Sequence, residues 1–148
     1  MAILYLLDTN ILVHLVRRDA VGERIHKLYS PLLAEPRPLI SVVIEGELRS
    51  LGFQLGWGKE RTEQVNYLLT YFQRVTIETE DVIQAYALID TFSERAGRSM
   101  GKNDLWIAAI AHVTGATLLT TDKDFDHLAG KFVEVEWIDP LADKQIGS

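Results

Sequence analysis

Ile3-Leu4-Tyr5-Leu6-Leu7-Asp8-Thr9-Asn10 is the stretch on which the fold turns. An apolar run of this length, nearly uninterrupted, is a strand buried on both faces, the kind found in parallel sheets. Asp8-Thr9-Asn10 then opens a helix whose apolar side carries Ile11, Leu12, Leu15 and Val16. An acid in this position stands just beyond the carboxyl end of a strand, which is where open α/β sheets bind their ligands.

Working outward, a second helix is expected over 21–33, and Pro31, Pro36 and Pro38 frame a loop into a strand at Leu39-Ile40. Ser41 is a plausible N-cap for the next helix. Its apolar stripe is Ile44, Leu48, Leu51 and Leu55 at helical spacing. Gly56-Trp57-Gly58 breaks that helix. Another helix covers 60–72, a short strand 75–77, and Thr79 caps a long helix to residue 95. After a loop over 97–101, Asn103 or Asp104 caps a helix ending near Thr114, with Gly115 as its stop. Thr117-Leu118-Leu119-Thr120 is a strand, and 132–137 is the last. Strands alternating with helices predict a three-layer α/β/α sandwich around a central parallel sheet. Residues 1–148 suit one domain with one core.

Composition narrows the function. There is no cysteine, so disulfides and thiolate metal sites are excluded. The apolar run over 2–7 is too short for a membrane span or a signal core, so a cytoplasmic protein with no membrane role is expected. The formal charge of −6 is unlike a generic nucleic-acid binder. A cation-binding acidic pocket, or a basic protein partner, accounts for it.

Four acids stand where the sheet would gather them: Asp8, Glu47, Asp104 and Asp122. Asp8 and Asp104 each have an ordinary alternative, as a helix cap or a first-turn acid facing the helix dipole. Ile107, Ala108 and Ala111 share Asp104's side of its helix and turn it inward. Glu47 lies three residues after Ile44 and four before Leu51, on the apolar stripe. A carboxylate there is costly unless paired or bound to a metal. Glu45 instead lies four residues before Arg49, the spacing of a surface ion pair. Asp122, Asp124 and Asp126 crowd one turn, and one of them is expected to cap a short helix. Asp122 is nearest the strand end and is preferred as the fourth acid, with Asp124 the open alternative. Like charges brought together need neutralising. Clustered carboxylates without thiols suit hard cations such as Mg²⁺ or Mn²⁺.

At these residues the sequence resembles the PIN-domain ribonucleases, and among them the VapC-type toxins of toxin–antitoxin systems. The matching stretches are Leu6-Leu7-Asp8-Thr9-Asn10-Ile11-Leu12, then Ser41 to Arg49 with Glu47-Leu48, then Asn103-Asp104-Leu105-Trp106-Ile107-Ala108-Ala109, and Thr120-Thr121-Asp122-Lys123-Asp124-Phe125. The resemblance implies a PIN-like sheet, metal-dependent endonucleolytic cleavage of RNA, a homodimer and inhibition by a cognate antitoxin. It assigns the acidic catalytic and metal-binding roles to Asp8, Glu47, Asp104 and Asp122. Thr9, Asn10 and Thr120 match positions that support the site by hydrogen bonding. Glu45 departs from the family pattern, where a small or apolar residue is more usual.

The mechanism expected is hydrolysis assisted by one or two Mg²⁺ ions that activate water and offset charge on the phosphate. Arg95, Arg98 and Lys102 lead into Asp104 and are candidate RNA contacts, or else a solvated basic loop. The histidines His14, His26, His112 and His127 lack the short spacing of a zinc site and read as structural or surface residues, with His127, just after the acidic turn, an open candidate for the site. Trp57 is either a packed loop anchor or a base- or partner-contacting residue. A haloacid-dehalogenase-type phosphatase would need an acid where Asn10 stands. A dinucleotide fold would need a Gly-x-Gly-x-x-Gly that is absent. The non-enzymatic rival is a silent PIN-like domain that only binds RNA or protein.

Overall fold

The computed structural model describes residues 2–141. Five parallel strands form one sheet: β1 (Tyr5–Leu7), β2 (Leu39–Ser41), β3 (Gln73–Val75), β4 (Thr117–Thr120) and β5 (Glu134–Trp137). Six helices flank it: α1 (Thr9–Arg17), α2 (Ala20–Tyr29), α3 (Val42–Leu55), α4 (Lys59–Leu69), α5 (Glu80–Arg95) and α6 (Lys102–Thr114). The result is the three-layer α/β/α sandwich that the alternating pattern implies.

Strand order is β3-β2-β1-β4-β5. The chain winds outward from β1 to β3, then returns to the other side of β1 with β4. The switch point therefore lies between β1 and β4, whose carboxyl ends open a crevice. Tyr5, Leu6 and Leu7 pair with Thr117, Leu118 and Leu119, which fixes the register of that crevice. Leu6, Leu7, Leu118 and Leu119 are fully buried, which accounts for an apolar run without alternation.

The helices lock onto this sheet through specific contacts. Leu12 and Ile11 of α1, Ile44 and Leu48 of α3, and Ile107 and Ala108 of α6 are all fully buried. Truncating one such leucine to alanine costs about 2–5 kcal/mol. Gly22 lets α2 approach α1 closely, since a Cβ there would lie 2.2 Å from the carbonyl oxygen of His14. Gly52 makes room for the Trp57 ring in the same way, at 2.6 Å, so Trp57 is a packed anchor for the turn after α3.

Several boundaries differ from the sequence reading. β3 begins at Gln73, two residues early, because the Gln73 N–H donates to the Pro38 carbonyl (2.8 Å). Arg37 donates to the carbonyls of Thr70 and Phe72 (2.9 and 3.1 Å), drawing the end of α4 towards β2. α4 thus stops at Leu69 rather than 72. α2 stops at Tyr29, because Ser30 takes the left-handed conformation (φ 44°) ahead of Pro31, which disfavours helical geometry before it. α6 is capped by Gly101, not by Asn103 or Asp104: the Leu105 N–H already donates to the Gly101 carbonyl (3.0 Å). β5 begins at Glu134 instead of 132. No acid caps the short 3₁₀ helix Asp126–Leu128; the residue before it is Phe125.

Candidate active site

The crevice is built from three helix starts and one turn. Asp8 follows β1 and caps α1, so its two alternative readings describe one residue. It is 5% exposed. One of its oxygens accepts from the Thr9 N–H (2.8 Å), and the other accepts from the Thr120 hydroxyl (2.7 Å). Burial pushes its pKa up to about 6 against these bonds, with the charges of Glu47 and Asp122 adding to the rise.

Thr120 ends β4 and is fully buried. Its hydroxyl donates to Asp8 and accepts from the Asp122 N–H (3.0 Å). The Asp122 carboxylate in turn accepts from the Asp124 N–H (3.1 Å), a local turn in which the side chain replaces a backbone acceptor. Asn10 accepts from the Thr121 N–H (3.4 Å) and ties α1 to the same turn.

Ser41 caps α3 by accepting from the Ile44 N–H (3.0 Å). The phase this sets brings Glu47 to the crevice, where it accepts from the Thr9 hydroxyl (2.7 Å) and the Asn103 amide (3.3 Å). Glu45 faces away and binds Arg49 (3.0 Å) and Arg74 (3.2 Å).

Asp104 sits in the first turn of α6. Its pKa is raised to about 7, first by burial and then by the charges of Asp8, Asp122, Asp124 and Glu47. For both Asp8 and Asp104, burial is the largest cause of the rise and neighbouring carboxylates add to it. Asp104, Asp122 and Asp124 each offer an oxygen within 4.8 Å of the others. Burial and the Asp122 charge also raise the pKa of Asp124. Three hard oxygen donors so close together fit a divalent ion of the Mg²⁺ class.

A cleft of about 360 Å³ is lined by Asp8, Glu47, Asp104 and Asp122, together with Thr9, Asn10, Val13, His14, Arg17 and Leu51. A second cleft of about 610 Å³ shares Thr9, Glu47 and Leu51 with it and continues along α3.

The chain matches the PIN domain family over residues 5–131. It is 31% identical over 142 residues to Ribonuclease VapC1 of Haemophilus influenzae (strain R2866), covering 92% of this chain and 97% of that one. This chain belongs to the PIN-domain family, among the VapC ribonucleases. Solved structures agree. VapBC-1 from nontypeable Haemophilus influenzae matches with TM-score 0.71 and 26% identity, over 91% of this chain and 98% of that one. VapBC2 from Rickettsia felis, bound to a DNA fragment from its promoter, shares the fold with TM-score 0.77 at 22% identity, over 93% and 100% of the two chains.

Other residues of this PIN domain fall as follows. Arg95, Arg98 and Lys102 are exposed, and none lines the carboxylate cleft. His127 bonds the buried Ser93 hydroxyl (2.8 Å), and His112 bonds the Phe132 carbonyl (2.9 Å). His14 bonds Asp19 (2.7 Å) yet also lines the cleft. Arg17 escaped the sequence reading, and His14 was read only as a structural or surface residue. Their signal is spacing: Asn10, Val13, His14 and Arg17 repeat at three- and four-residue intervals on a helix opened by Asp8.

Proposed function

We propose that this chain is a Mg²⁺- or Mn²⁺-dependent endoribonuclease and the toxin of a toxin–antitoxin pair. The observation that carries the chemistry is the crowding of acids from three helix starts and one turn into a single cleft at the sheet's switch point. Asp8, Asp104 and one or both of Asp122 and Asp124 would hold the ion. When bound, it supplies Lewis-acid activation of water and offsets charge on the scissile phosphate. Thr120 holds Asp8 in place, and Thr9 holds Glu47, leaving the glutamate to orient water or a metal ligand. Asn10 steadies the acidic turn. Asp104, whose pKa is held up to about 7 by burial and its acidic neighbours, would hold the ion in its deprotonated form.

The remaining parts of the reading are a cytoplasmic location, a homodimer and a cognate antitoxin whose basic side chains enter the cleft beside Asp8 and Asp104. The exposed Phe53 (88%) and Leu33 (84%) supply apolar surface for protein contacts. Among the described residues, no helix is long and apolar enough to cross a membrane. Lys102, beside Asn103 at the start of α6, is the best placed of the three predicted basic residues to meet RNA.

The test is cleavage of total bacterial RNA by purified protein. Excess EDTA should abolish it, Mg²⁺ or Mn²⁺ should restore it, and Asp8→Asn should be inactive. Full activity in EDTA would overturn the metal role.

A further inference from the structure

We infer that Arg17 binds a phosphate of the RNA strand adjacent to the scissile one, at the end of the carboxylate cleft remote from Asp8. This rests on the ribonuclease reading above. α1 presents two faces. Ile11, Leu12, Leu15 and Val16 are buried in the core, while Asn10, Val13, His14 and Arg17 line the cleft. Substrate lying in the cleft therefore runs along α1.

Arg17 is the side chain of fixed positive charge among the described cleft residues. Its guanidinium has no hydrogen-bond or ion-pair partner among the described residues. At about 1.5 Å of rise per residue, it lies roughly 13 Å along the helix from Asp8. A backbone offset of that order suits a phosphate neighbouring the reacting one.

The ordinary role for a basic residue here is to serve the carboxyl end of α1. That role is already filled: Arg61 donates to the Val16 carbonyl (3.2 Å), and the Arg18 N–H donates to the His14 carbonyl (3.0 Å). An unpaired guanidinium in an otherwise acidic cleft matches the planar, bidentate demand of a phosphate. In a chain of charge −6, it supplies the local attraction that the overall charge does not.

The experiment measures initial rates on total bacterial RNA for wild type, Arg17→Gln and Arg17→Lys, across RNA concentration and salt. For single strands, each phosphate contact contributes about 0.7 to the slope of log affinity against log salt. Arg17→Gln should lower that slope by about 0.7 and raise KM on the order of fivefold at 0.1 M salt. Its kcat and Tm should stay at wild-type values, and Arg17→Lys should recover most of the KM. An unchanged KM and salt slope in Arg17→Gln would overturn the inference while leaving the ribonuclease reading intact. So would a joint fall in kcat and Tm with the slope unchanged, since that marks a structural role. No cleavage by the wild type with Mg²⁺ would overturn the ribonuclease reading, and this inference with it.

Discussion

Replacing Asp104 by asparagine should make the metal-free protein more stable. Asparagine keeps the size of aspartate and removes its charge from a place already crowded by Asp8, Asp122, Asp124 and Glu47. The folded-state pKa of about 7 lies well above the ordinary 3.8. The proton it retains therefore stabilises the fold in full below the unfolded pKa, and that contribution is lost as pH rises through 7. A shift of this size, at about 1.4 kcal/mol per unit, corresponds to about 4 kcal/mol. Asp104 is only partly buried, and solvent screening cuts the figure to about 2 kcal/mol. For a chain of this size that is about 4–8 °C in Tm. Thermal melts in EDTA should show this gain at pH 8, and most of it should be gone at pH 4, where folded Asp104 is protonated and the unfolded residue is close to its ordinary 3.8. Mg²⁺ at a hundredfold excess over its Kd should add about 2.7 kcal/mol to the wild type and much less to the variant. Asparagine caps a helix about as well as aspartate, so a capping role predicts no change at any pH. A gain of equal size at pH 4 and pH 8 would refute charge repulsion as its source.

Other outcomes follow from the same geometry. Glu47→Gln should lower the cleavage rate on the order of tenfold to a thousandfold with the fold intact, whereas Glu45→Gln should leave the rate unchanged and cost at most about 1 kcal/mol through its two arginine contacts; the opposite ranking in a cleavage assay would reverse the assignment on α3. Mg²⁺ affinity, measured by calorimetry, should rise between pH 5 and pH 8, because Asp8 and Asp104 must lose protons held to about 6 and about 7; a flat profile would place the ion elsewhere. Thr120→Val should destabilise the protein by about 1–3 kcal/mol and move the acid limb of the pH–rate profile upward, since the Thr120 hydroxyl lowers the pKa of Asp8.

The centre of the sheet was legible because β1, β2 and β4 are buried on both faces and show as short apolar runs. Leu6-Leu7 and Leu118-Leu119 needed no partner to be recognised. Asp8 and Glu47 were legible for a related reason: one ends such a run, and the other interrupts a helical stripe. What the sequence hid depends on contacts between distant segments. Gln73 joins the sheet through the Pro38 carbonyl, 35 residues away in the chain by their numbering. Asp104 looked like a cap because nothing local marks Gly101 as the true one. Asp124, the open alternative to Asp122, lies with it in the acid cluster, and both meet Asp104 only through the fold. His14 and Arg17 looked like the wet side of a helix, since a cleft wall and a solvent face have the same pattern until the opposing wall is known.

The pairing of β1 with β4 also bears on how the protein is made. The Thr120 hydroxyl reaches Asp8 across 112 positions of chain. While a ribosome is still synthesising α6, β1 can find β2 and β3, so Asp8 and Glu47 can draw together early. The acidic turn after β4 does not yet exist. The nascent chain therefore lacks part of the site until the turn after β4 has emerged, and closing so long a loop comes late in folding. This order of elements predicts that cleavage is held back until the turn after β4 is free to fold against β1. Ribosome-tethered chains released at increasing lengths should gain RNA cleavage abruptly once the turn after β4 has cleared the exit tunnel, and a gradual gain from shorter lengths would contradict this.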